Sequence, residues 1–158
     1  MLEYMSREVV LARKFDIDLD KLAASDRESN GVLLYRRAGD HLLVECVHMT
    51  GIGTEGHVSA DPRRLAVGTE FLRRHSGYGY IKFHTHCVET IRRHDLYFAT
   101  HFSNADIESY NVSLEDYPEF IGMVVTPLTK LLYAPDEPTL RVDDGFPSTT
   151  ERIERELM

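Results

Sequence analysis

The stretch from Gly77 to Asp106 constrains this chain more than any other. Tyr80, Ile81, Lys82 and Phe83 read as a strand, in which residues i and i+2 point to one face, so His84 and His86 project side by side. Beyond a loop, Ser103-Asn104-Ala105-Asp106 opens a helix and sets a hydroxyl and a carboxylate together on its first turn. That helix carries Ile107, Tyr110, Leu114 and Tyr117 at spacings of three, four and three, an amphipathic stripe that should lie on a sheet. Two histidines and one aspartate, with a fourth position left for water, form the ligand set of a catalytic zinc.

The rest of the chain reads as alternating strands and helices. Apolar residues alternate from Glu8 to Ile17, which predicts a half-buried strand, and Asp18 or Asp20 can cap a short helix through Leu22 and Ala23. Residues 31–37 and 41–50 are strand-like runs around Ala38-Gly39-Asp40, a hairpin signal, and the first is apolar enough to lie centrally in a sheet. Asp61-Pro62 starts a helix in which Leu65, Phe71 and Leu72 can share a buried face, with Gly77 as the stop. Residues 120–126 and 130–134 make two strands around a turn at Pro127, 140–142 add a short one, and residues 148–158 end the chain in a short helix. The expected fold class is α/β, one domain over residues 1–158 with a mixed sheet and helices packed on it.

Composition narrows the function classes. With 158 residues, 42% of them hydrophobic, the chain can build one core. Its 18 basic and 26 acidic residues leave a formal charge of −8, and the basic ones are scattered or sit in short pairs, so a phosphate-tracking groove is not expected and nucleic acid is excluded as a partner. No apolar run approaches the ~20 residues of a membrane span, and residues 1–17 lack the pattern of a signal peptide. A soluble, cytoplasmic protein is expected. Cys46 and Cys87 stand far apart outside any CxxC pair, so free buried thiols are expected.

Each motif has a plain structural reading of its own. A histidine pair on a strand can be polar surface, Ser-x-x-Asp is fully explained as a capping box, and Glu28 by default is a solvated acid at a helix end. Taken together they supply what amide hydrolysis with zinc requires. His84, His86 and Asp106 can be the ligands, Glu28 the base and Ser103 the oxyanion donor.

This set resembles the JAMM (MPN+) zinc metalloprotease family, in particular its small prokaryotic and archaeal members. The matching pieces are Glu28 followed by Gly31 and an apolar strand, His84-Thr85-His86, and Ser103-Asn104-Ala105-Asp106-Ile107, in the family's order and over roughly residues 6 to 135. The resemblance implies an MPN-like, cytidine-deaminase-like fold and a metallo-isopeptidase that cuts at the C-terminus of ubiquitin-like modifiers. It further implies that His84, His86 and Asp106 bind zinc, that Glu28 is the general acid/base, and that Ser103 stabilises the tetrahedral intermediate.

Two features depart from the family pattern. Cys87 stands where proline usually follows the second histidine, and sixteen residues separate His86 from Ser103, where about half as many are common. An insertion over about 88–101 accounts for this and can serve as a lid, a recognition loop or a dimer contact. It also makes Asp95 a rival third ligand, although Asp106 is preferred because Ser103 accompanies it, and Cys87 is expected to be packed rather than ligating. A monomer and a homodimer both stay open.

Other readings compete. A catalytically silent binding module of the same fold keeps the motifs without the activity. Glu89, three positions after His86, gives a cupin-like reading as a small-molecule metalloenzyme, but helical stripes intervene where a cupin needs a barrel. Gly51-Ile52-Gly53-Thr54-Glu55-Gly56 spells a dinucleotide fingerprint, but the next helix starts about five residues too late to meet a pyrophosphate. A TIM barrel, which also opens on HxH in some hydrolases, needs ~250 residues.

Overall fold

The structure is a computed structural model that describes residues 6–53, 59–145 and 150–158. Strand β1 (Glu8–Ala12) runs directly into helix α1 (Arg13–Ala23), replacing the longer strand expected to Ile17. In α1 the buried residues are Phe15, Leu19 and Ala23, one turn apart, while Ile17 is exposed. Period 3.6 therefore takes over at Arg13, and the alternation of Phe15 with Ile17 is accidental.

Strands β2 (Ser29–Ala38) and β3 (His41–Ile52) form the expected antiparallel hairpin, closed by Gly39 at φ 62°, where a side chain would be strained. Helix α2 (Pro62–Arg74) begins at Asp61, whose side chain accepts a hydrogen bond from the backbone N–H of Arg63. It buries Gly68 and Phe71, but Leu65 stays exposed instead of joining them. Strand β4 (Tyr78–Thr85) leads to His86. The segment 88–101, expected as a loop, folds into two short helices, α3 (Val88–Arg93) and α4 (Leu96–Thr100). Then come α5 (Asn104–Asp116), β5 (Ile121–Val125), β6 (Lys130–Tyr133), β7 (Thr139–Asp143) and α6 (Thr150–Glu156). Ser148, where the final helix was expected to start, and Thr54 to Gly56 of the glycine-rich loop lie outside the described residues.

Among the described residues seven strands form one sheet in the order β6-β5-β4-β2-β3-β1-β7, with β2 at its centre as expected. β1 runs parallel to β3 and β7, and β4 parallel to β5, while the remaining pairs are antiparallel. The fold is thus α/β with a mixed sheet and helices.

One face of the sheet, including Val9, Leu11, Leu33, Ile81, Phe83 and Met123, packs against Phe15 and Leu19 of α1. On the other, Leu34 and Cys46 pack with Phe71 of α2 and Ile153 of α6, so the final helix docks on its own chain. Each such fully buried side chain contributes about 1.5–3 kcal/mol before entropy is counted. Helix α5 lies on this second face, where the ring of Tyr110 fills the space above Gly122. A Cβ there would meet the ring at 2.7 Å. Cys46 and Cys87 are free and buried. Among the described residues no helix is long and apolar enough to cross a membrane.

Candidate metal centre

Strand geometry and a hydrogen bond beyond the end of β4 determine where the two histidines point. The His86 N–H donates to the carbonyl of Val125 at 2.9 Å, extending the pairing with β5 past Thr85, and keeps His86 in register with His84. Their Nε2 atoms come to 3.3 Å from each other. The His84 Nε2 is also 3.3 Å from Oδ2 of Asp106. Among the described residues these three side chains are the one group of potential ligands found, with donor atoms all within 4.8 Å of one another.

A capping box aims the carboxylate. The Ser103 hydroxyl accepts from the Asp106 N–H at 3.1 Å, and Asp106 Oδ2 accepts from the Ser103 N–H at 2.8 Å. The structural reading of Ser-x-x-Asp and the ligand reading are therefore compatible, because the box is what turns Oδ2 toward His84. With its oxygen accepting from the backbone, the Ser103 O–H can still donate.

The far nitrogens of both imidazoles are held. His86 Nδ1 lies 3.0 Å from the carbonyl of Ala99, which can only accept, so Nδ1 carries the proton and Nε2 presents its lone pair to the centre. His84 Nδ1 lies 3.1 Å from the hydroxyl of Tyr110. Outer hydrogen bonds of this kind orient metal-binding histidines and raise their basicity. Phe98 of α4 stacks on His86 at 6.3 Å and 8°.

Burial, then the neighbouring His84, lowers the pKa of His86 and keeps it neutral. Burial alone would raise the Asp106 carboxyl, but the hydrogen bond and charge of His84 and the bonds from Ser103 outweigh it and pull the pKa to about 2. With His84 Nε2 deprotonated, the two imidazoles and the carboxylate would direct three donor atoms at one region, an arrangement suited to a positive centre. For zinc, Zn–N distances of about 2.0–2.1 Å place tetrahedral donors roughly 3.3–3.4 Å apart. The two separations from His84 Nε2, 3.3 Å each, match that spacing, and the third pair of donors lies within 4.8 Å, so the residue types and their placement suit such an ion.

Glu28 lines the same cavity, of about 510 Å³, with His84, His86, Ser103 and Asp106. It is 8% exposed, so the solvated acid of the plain reading is not what forms. Its placement depends on Thr85: the Ser29 N–H donates to the Thr85 hydroxyl at 2.9 Å, tying the residue after Glu28 to the middle of the histidine pair. Asp95 is not brought in. It is exposed and N-caps α4 by accepting from the Phe98 N–H at 3.0 Å. Cys87 is fully buried, with its sulfur 3.6 Å from the Thr90 hydroxyl, and is packed as expected.

Sequence reasoning missed Tyr110, Thr85, Phe98 and the Ala99 carbonyl. Tyr110 stands four residues after Asp106, hence on the same helix face, which is a readable signal. No residue type marks the Ala99 carbonyl, since every residue has one.

Fold and donor group together define an α/β protein with a candidate His/His/Asp metal centre at the end of a central strand. No family model and no curated protein matches the chain. Among solved structures it is similar to the solution structure of protein DSY2949 from Desulfitobacterium hafniense, at a TM-score of 0.57 and 21% identity over 87% of this chain and 94% of that one. At this identity the likeness concerns the fold.

Proposed function

We propose that the chain is a zinc-dependent isopeptidase or peptidase of the JAMM type, with an MPN-like domain, acting in the cytoplasm on ubiquitin-like proteins or their conjugates. The observation that carries this reading is the convergence of His84, His86 and Asp106 donor atoms within 4.8 Å, in a cavity that Glu28 and Ser103 also line. Zinc held by those three residues would supply Lewis acidity, lowering the pKa of water from 15.7 to about 7.

Glu28 takes the proton of the attacking water and delivers it to the leaving amine, a role favoured by its burial beside the ligands. The Ser103 O–H donates to the carbonyl oxygen as negative charge develops on it, a contribution of about 2.7–4 kcal/mol for one well-placed donor. Tyr110 and the Ala99 carbonyl keep the imidazoles oriented.

The test is a zinc assay on wild type and His86→Ala, followed by incubation with linear and branched ubiquitin-like fusions. Stoichiometric zinc in wild type alone, with cleavage that Glu28→Ala abolishes, is the expected result. Zinc without cleavage of any fusion would turn the reading toward a silent binding module of the same fold.

A further inference from the structure

Beside the metal cavity, a groove of about 580 Å³ runs between α2 and α5, and Asn30 and Lys82 line both spaces. Its floor is the sheet face at Val32, Tyr80 and Lys82; Leu72 and Ser113 mark its walls. The stretch of α2 from Leu65 to Leu72 spans about 10 Å, which matches about three residues of extended peptide.

Lys82 is unusual for its position. β4 has a neighbouring strand on each side, and a residue on its face would ordinarily lie under a helix, yet here the helices part and the side chain is exposed. The chain has 26 acidic residues, but none of the described residues lining the groove is one of them. Among the described residues Lys82 has no ion-pair partner. Of the acids in the adjoining cavity, Asp106 is engaged by His84 and Ser103, and Glu28 faces the metal ligands.

We propose that Lys82 is a specificity-determining residue that receives a carboxylate of an extended peptide segment of the substrate lying in this groove. The proposal rests on the isopeptidase reading. Lys82 and His84 share a strand face two residues apart, about 6.6 Å along the sheet, so the carboxylate falls about two residues from the bond that is cut. It belongs either to an Asp or Glu side chain or to a free C-terminus. A largely apolar floor of Val32 and the Tyr80 ring beside a lone ammonium favours this pairing over an exposed surface pair, because the bound segment excludes water from it.

The test uses zinc-loaded wild type, Lys82→Ala and Lys82→Glu with fluorescent hexapeptides that vary one position among Asp, Ala and Lys, each with a free or amidated C-terminus. Anisotropy should show wild type binding the Asp series at least about fivefold more tightly than the Lys series, a preference that shrinks with salt. Lys82→Ala should level the two series, and Lys82→Glu should invert them. A preference that follows only the free C-terminus assigns the carboxylate to the chain end. An unchanged Asp-to-Lys ratio in all three proteins, or no measurable binding, overturns the proposal. Cleavage is scored separately: Lys82-dependent binding without cleavage counts against the isopeptidase reading alone, and cleavage indifferent to Lys82 counts against this proposal alone. Equal zinc content and melting temperature in the variants establish that they fold.

Discussion

Tyr110 shows how one residue serves both packing and chemistry: its ring covers Gly122 while its hydroxyl holds Nδ1 of His84 at 3.1 Å. Tyr110→Phe keeps the ring and removes the hydroxyl, so zinc affinity should fall by about 10–100-fold, read by competition with a chelating dye, while the fold persists. Glu28→Gln should separate binding from chemistry. On the proposed mechanism zinc content should stay at the wild-type level and turnover should drop by about 10²–10⁴-fold, since the variant would lose the general acid/base and keep every candidate ligand. At this scale the candidate ligands are legible because HxH on a strand and Ser-x-x-Asp at a helix start are local patterns. Tyr110 was read only as part of an apolar stripe, because its polar end matters only once His84 lies beneath it.

Among the elements, α5 and β5 are locked by the missing side chain of Gly122. Gly122→Ala places a Cβ 2.7 Å from the Tyr110 ring, and overpacking of this kind costs about 1–3 kcal/mol. The expected outcome is a lower melting temperature accompanied by weaker zinc binding, because the displaced ring carries the His84 partner with it. Near the start of β5, Arg7 holds Asp136 bidentately, through Nε and Nη2 at 2.7 Å each, and so ties the chain before β1 to the β6–β7 connection. The hydrogen bond from Arg7, opposed by burial and helped by the Arg7 charge, lowers the Asp136 pKa below the ordinary 3.8. A depressed carboxyl pKa stabilises the fold above the unfolded value and loses that contribution as pH falls through the folded one. Asp136→Asn should therefore be less stable than wild type at pH 6, and the gap between their urea midpoints should narrow below about pH 4. Helices α3 and α4 were read as a loop because each is too short for a periodic stripe. The support that α4 gives His86 comes from the Ala99 carbonyl and the Phe98 ring, neither of which has a spacing signature.

For the molecule as a whole, three candidate ligands, from the end of β4, the residue just beyond it and the start of α5, would make metal binding a folding term. Zinc at about 100 times its Kd should stabilise the native state by about 2.7 kcal/mol and raise the melting temperature by roughly 5–10 °C, measured by calorimetry. The same addition should leave His86→Ala unmoved. Its 18 basic and 26 acidic residues bear on partners and not on architecture, and the seven-strand order with β1 between β3 and β7 has no trace in any local pattern. From sequence alone came the hairpin at Gly39, the caps at Asp61 and Ser103, the histidine pair and the candidate ligand set. Each of these is written in side chains within a few residues of one another, where sterics and hydrogen bonding act without help from the rest of the chain. Tertiary structure alone decided that the Asp106 favoured by its capping serine does reach the histidines, that Glu28 is buried beside them, and that Lys82 stands uncovered. Those outcomes depend on contacts between residues 22 to 56 positions apart, such as His84 to Asp106 and Ser29 to Thr85, and such contacts form only when the sheet has brought distant segments together.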